Sequence, residues 1–142
     1  MQHTYFQSIE YHPKEQPIPL DEVLAQLAFN QDGLIPVITQ DTETKQVLMM
    51  AWMNIDALKR TLNTRRVTYW SRSRQCYWVK GETSGHVQLL VNLSFDCDGD
   101  AVLCEVHQTG AACHTGRRHC FYLKVEEDHV RVTGEYQKVE EL

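Results

Sequence analysis

A chain of 142 residues with 42% hydrophobic and 23% charged side chains carries enough apolar material for one globular domain with a modest core, which excludes a disordered chain. Its net charge of -5 excludes nucleic-acid binding through overall charge, though not through a local basic stripe. No apolar run reaches membrane-spanning length and Met1–Leu20 has no signal-peptide core, so a cytoplasmic location without a membrane partner is expected.

Residues 1–19, punctuated by Pro13, Pro17 and Pro19, read as an irregular lead-in to a single domain over 20–142. Leu20, Val23, Leu24, Leu27 and Ala28 recur at helical spacing, with Asp21 and Glu22 suited to a first turn and Asp32-Gly33 to a stop. Leu34–Gln40 and Gln46–Trp52 flank a polar turn and predict a hairpin. Asn54 is placed to cap a second helix that buries Ile55, Leu58 and Leu62. Strands are expected at Val67–Arg72, Cys76–Lys80, Val87–Cys97, Ala101–Gln108, Cys120–Val125 and Val130–Thr133. The fold class is therefore α+β, predominantly β, a single small domain with two short helices.

The five cysteines, an odd number in a chain without an export signal, point to a reducing compartment and to roles other than disulfides. Cys97, Cys113 and Cys120 are separated by fifteen and six residues. Thiolates are soft donors for zinc, and three protein ligands leave a fourth position for water; buried free thiols are the alternative. The intervening His114–His119 is too polar for a core strand, which favours ligands, whereas Cys104 and Cys76 sit where core packing is expected. Asp96, Asp98 and Asp100 put three carboxylates in five residues, suited to magnesium. Asp98-Gly99 is equally a hairpin-turn signal that needs no metal. An extended Asp96–Asp98 would set both carboxylates on one side and Cys97 on the other.

From Asp56 to Glu82 no acidic residue intervenes, yet seven of the fourteen Lys and Arg side chains lie there. Arg72, Arg74 and Lys80 are interleaved with Tyr69, Trp70, Tyr77 and Trp78, and a Gly81–His86 loop with Thr83 and Ser84 follows. Rings to stack on, guanidinium forks and loop amides suit a base, a sugar and phosphates; solvated charges over core aromatics are the plainer reading. The P-loop, the nucleophile elbow, the H-E-x-x-H pair, the dinucleotide fingerprint and the nucleobase-deaminase signature are all missing.

Gly33–Pro36, Val47–Asn54, Tyr69–Arg74, Lys80–His86, Asp96–Asp100 and Cys113–Arg118 form six ordered blocks that together resemble the phosphoribosyl-AMP cyclohydrolases of histidine biosynthesis, with departures at Ala111 and His119. The resemblance implies hydrolytic opening of the N1–C6 bond of 1-(5-phosphoribosyl)-AMP, the third step of that pathway, by zinc-bound hydroxide attacking C6. It implies zinc on Cys97, Cys113 and Cys120 and magnesium on Asp96, Asp98 and Asp100. It also implies an intertwined homodimer in which Cys97 of one subunit faces Cys113 and Cys120 of the other. A form without the fused pyrophosphohydrolase domain of some relatives is expected. Zinc lowers the pKa of bound water toward about 7, an effect that three thiolates should blunt. His114 is the first acid/base candidate, ahead of His86 and His107, and Arg72, Arg74, Lys80, Thr83, Ser84 and His86 are candidate substrate contacts. The alternative is a zinc-stabilised module that binds single-stranded nucleic acid through the basic aromatic segment, against which the net charge and the carboxylates both weigh.

Overall fold

The computed structural model of the chain describes residues 3–136. Among the described residues three helices, α1 (His3–Ile9), α2 (Leu20–Leu24) and α3 (Ile55–Thr64), accompany eight strands. These are β1 (Ile35–Asp41), β2 (Val47–Met53), β3 (Thr68–Ser71), β4 (Cys76–Val79), β5 (Gln88–Phe95), β6 (Val102–Gln108), β7 (Leu123–Glu126) and β8 (His129–Val132). The domain is α+β and predominantly β, with one helix more than the two expected.

The extra helix corrects the irregular lead-in. Its Phe6 is buried and joins the core, so residues 3–9 fold because they have an apolar surface to cover. The helix expected through Ala28 stops at Leu24, because the Ala28 amide donates to Gly99 O at 2.8 Å and leaves the helical ladder.

A four-stranded sheet in the order β2-β1-β6-β5 forms the centre, with β1 and β6 parallel and the other pairs antiparallel. Strand alternation sends Ile35, Val37, Thr39 and Asp41 of β1, and Val102, Cys104, Val106 and Gln108 of β6, to one buried face. Helix α3 closes that face with Ala57 and Leu58. Complete burial of the Leu58 side chain contributes about 2 kcal/mol. The opposite face is open, with Ile38 and Met50, paired across β1 and β2, exposed along with Leu89 and Val91 on β5.

Asn54 caps α3 as expected, its side chain accepting from the Ala57 amide at 2.8 Å. Thr61 then ties the helix to β3, its hydroxyl accepting from the Thr68 amide at 2.9 Å. This fixes the β3-β4 hairpin, which carries most of the basic aromatic segment. The second hairpin, β7-β8, has an exposed apolar side made of Leu123, Val125, Val130 and Val132.

Candidate active site

The segment from Gly110 to Cys120 crosses one end of the sheet and is pinned at three places. The Cys120 amide donates to Leu48 O on β2 at 2.7 Å. The Arg118 guanidinium bonds the Asp41 carboxylate at the end of β1 and donates to Gly110 O at 3.1 Å. The Lys80 ammonium, leaving β4, donates to Ala112 O at 2.6 Å. Within the segment, Ala112 N bonds Arg118 O at 3.1 Å and Cys113 N bonds Arg117 O at 3.0 Å, folding it back on itself.

That fold brings the Cys113 and Cys120 thiols close enough for each to act on the ionisation of the other. Burial raises the Cys113 thiol, but the Thr115 hydroxyl and amide, the Cys120 thiol and the Lys80 charge outweigh it and hold the group below its usual value. Cys120, desolvated and beside Cys113, is pushed up to about 11. Two adjacent soft donors, one already inclined to ionise, suit zinc. Among the described residues the Cys97 thiol does not complete a three-thiol group within 4.8 Å. A single chain therefore holds two of the expected three ligands together.

Cys104 lies wholly inside the core and burial pushes its thiol up to about 12, in keeping with a packing role. Cys76, also read as core, is exposed at the start of β4, because that hairpin turns its edge to solvent.

Asp96, Asp98 and Asp100 do converge, with one oxygen of each within 4.8 Å of the others. They do so because the run turns rather than extends: Gly99 N bonds Asp96 O at 3.1 Å, which replaces the alternation expected for an extended strand. Asp96 Oδ1 accepts from the Asp100 and Ala101 amides at 2.9 and 3.2 Å. Burial raises the Asp96 carboxyl, yet its hydrogen bonds from Asp100, Ala101 and Asp98 bring it below its usual value. Asp100 is raised by its hydrogen bond to Asp96, by burial and by the neighbouring Asp96 and Asp98 charges. An oxygen cluster of this kind suits a hard cation such as magnesium.

A cavity of about 380 Å³ connects the thiol segment with the β4 loop. Arg74, Trp78, Lys80, Thr83, Ser84, His86, Cys113 and His114 all line it. The loop is shaped by Gly81 (φ 80°), whose carbonyl accepts from Gly85 N at 2.8 Å. His86 packs its imidazole against Gly110. His114 is exposed at the cavity wall, whereas His107 points from the open sheet face toward Glu43, 3.7 Å away, and is not among the residues lining it. Arg72 lies over the Trp52 ring at 4.9 Å in a neighbouring hollow of about 670 Å³, which shares Arg74 and Trp78 with the first.

Sequence reasoning missed Asp41, Arg118, Trp52 and Gln88. The bonded pair of Asp41 and Arg118 is far apart in the chain, and only the parallel docking of β1 beside β6 brings it together. Gln88 is buried and joins Tyr69 to Gln108, whose amide reaches His86 O at 3.2 Å. Among the described residues, no helix is long and apolar enough to cross a membrane.

Comparison with known proteins agrees with the motif blocks. The family model for phosphoribosyl-AMP cyclohydrolase matches residues 49–122. The phosphoribosyl-AMP cyclohydrolase of Roseobacter denitrificans is 64% identical over 103 residues, 72% of this chain and 80% of its own length. That of Hydrogenovibrio crunogenus is 50% identical over 131 residues, covering 92% of this chain and 89% of the relative. A Cereibacter sphaeroides enzyme of the same name is 59% identical over 108 residues, 76% of this chain and 91% of its own. The chain belongs to the phosphoribosyl-AMP cyclohydrolase family of enzymes.

Proposed function

We propose that the chain opens the adenine ring of 1-(5-phosphoribosyl)-AMP at its N1–C6 bond, giving the phosphoribosylformimino-aminoimidazole carboxamide ribotide, the product of the third step of histidine biosynthesis. The observation that carries this reading is one cavity shared by the Cys113-His114 end of the thiol segment and the Gly81–His86 loop. Family membership supplies the substrate class.

Cys113 and Cys120 of one subunit would hold zinc together with Cys97 of a second. Support comes from the two-thiol half-site in one chain and from the exposed apolar faces of the β7-β8 hairpin and the central sheet. Asp96, Asp98 and Asp100 would hold magnesium. Zinc held there would supply Lewis acidity and a more acidic water for the electrophilic C6.

Ring opening joins the water oxygen to C6, breaks C6–N1 and leaves a proton on N1, while the 6-nitrogen remains in the new carboxamide. His114, on the cavity wall next to Cys113, would take the proton from water and return it to N1. Arg74 and the Thr83 and Ser84 side chains would hold a phosphate, Arg72 over Trp52 would hold a second charged arm in the adjoining hollow, and His86 would border the base. N1-ribosylation gives this substrate two phosphoribosyl arms, which matches two adjoining hollows.

The test follows ring opening by ultraviolet absorbance with purified protein, magnesium and phosphoribosyl-AMP, before and after zinc is stripped with a chelator and restored. Turnover lost on stripping and regained with zinc is expected. A folded, zinc-loaded dimer with magnesium that leaves the substrate intact overturns the assignment.

A further inference from the structure

Lys80 was grouped with the phosphate-binding residues on sequence, but its head group is engaged elsewhere. The side chain is half-buried, its ammonium lies 4.9 Å from the Trp78 ring centre, and it donates to Ala112 O at 2.6 Å. Ala112 is buried and directly precedes Cys113. Both Cys113 and Cys120 interact electrostatically with the ammonium. A cation partly shielded by an aromatic ring and bonded to the loop carbonyl that precedes Cys113 is placed for the thiol segment rather than for a ligand arriving from solvent.

Three thiolates on one zinc ion leave the centre with a net charge of about -1, which weakens its pull on a bound water. We infer that Lys80 is a positioning residue for the thiol segment: its fixed positive charge offsets the thiolates, and its bond to Ala112 O sets where Cys113 stands. This rests on the proposed zinc role of Cys113 and Cys120. It assigns Lys80 to the metal centre and leaves phosphate recognition to Arg74 and the Gly81–His86 loop.

Three variants separate charge, hydrogen bonding and substrate contact. Lys80→Arg keeps charge and donor, Lys80→Gln keeps only a donor, and Lys80→Met keeps neither. Chelator-stripped protein is titrated with zinc against a competing chromogenic chelator, and kcat and KM are measured on the zinc-loaded dimers. A zinc affinity about tenfold or more weaker in Lys80→Gln and Lys80→Met is expected, with Lys80→Arg within about threefold of the parent. In the zinc-saturated enzymes kcat should fall while KM holds. Zinc affinity unchanged in all three with a raised KM would return Lys80 to the phosphate and overturn the inference. Lys80→Gln matching Lys80→Arg in affinity would overturn the charge role. Thermal melts of the metal-free variants identify any that fail to fold, and Lys80→Arg then decides: if folded, its affinity must stay near the parent's. Parent protein that binds zinc but does not turn over substrate defeats the cyclohydrolase reading, and the zinc titrations still judge Lys80.

Discussion

The Arg118 guanidinium is bonded to the carboxylate of Asp41, so the last residue of β1 holds the segment that carries Cys113 and Cys120. Asp41 is buried, and its other oxygen accepts from the Glu43 and Thr44 amides at 2.8 and 3.2 Å. Burial raises the carboxyl, and the two amides together with Arg118 more than reverse it, leaving the group below its ordinary value.

Asp41→Asn should therefore cost about 2 kcal/mol at neutral pH, less than a fully buried pair because Arg118 is 44% exposed. A carboxyl lowered on folding stabilises above its unfolded pKa of about 3.9, and that stability is lost as pH falls through the lower folded value. Urea melts of parent and variant should differ most at pH 6–7 and converge on acidification. An equal gap across that range would show that the carboxylate charge contributes nothing.

A Cβ at Gly81 would lie 2.4 Å from His86 C and Val87 N, at a positive φ of 80°. Gly81→Ala must unseat the loop bearing Thr83 and Ser84, with a cost of about 2 kcal/mol or more. Zinc stoichiometry should persist while KM for the substrate rises at least about tenfold. An unchanged KM would remove the loop from substrate binding.

If the zinc ligands are shared across a two-fold dimer, Cys97→Ser and Cys113→Ser should each be inactive alone yet complement each other. On equal mixing and reassembly, about half the dimers are mixed and each has one whole site, giving about one quarter of parental activity. No recovery would place all three ligands in one subunit. Cys104→Ser is the control: it retains zinc and turnover but buries a hydroxyl in an apolar slot, lowering stability by about 1–3 kcal/mol.

Tyr69 is fully buried, its hydroxyl 2.7 Å from Thr39 Oγ1 and donating to Gln88 Oε1 at 2.6 Å. Gln88 then donates to Gln108 Oε1 at 2.9 Å. Tyr69→Phe leaves both Thr39 and Gln88 short of a partner and should lower Tm by about 5 °C in a calorimetric scan. A Tm equal to the parent's would mean that the network rearranges without cost.

Local signals carried well from sequence to structure. Alternation located β1, β2, β5 and β6 to within a residue or two, and Asn54 announced α3, because each depends on neighbours in the chain. The thiol and carboxylate groups were legible as residue types in spaced blocks. Long-range pairing was not. Nothing near Asp41 indicates that Arg118 will meet it, and nothing near Lys80 indicates that the Ala112 carbonyl will take its ammonium. Helix α1 escaped notice because its buried anchor, Phe6, finds its place only against a turn more than ninety residues later.

That anchor gives the chain's beginning a mechanical hold on its carboxylate turn. A Cβ on Gly99 would sit 2.0 Å from the Phe6 ring, and Gly99 O is gripped from the other side by the Ala28 amide. Asp98 and Asp100 flank this clasped residue, so their spacing is set by two segments that carry no ligand themselves. The opening residues work as a tensioner: whatever loosens α1, from proteolytic trimming to a bulky fusion ahead of it, reaches the carboxylates first and leaves the thiol segment, with its separate moorings, in place.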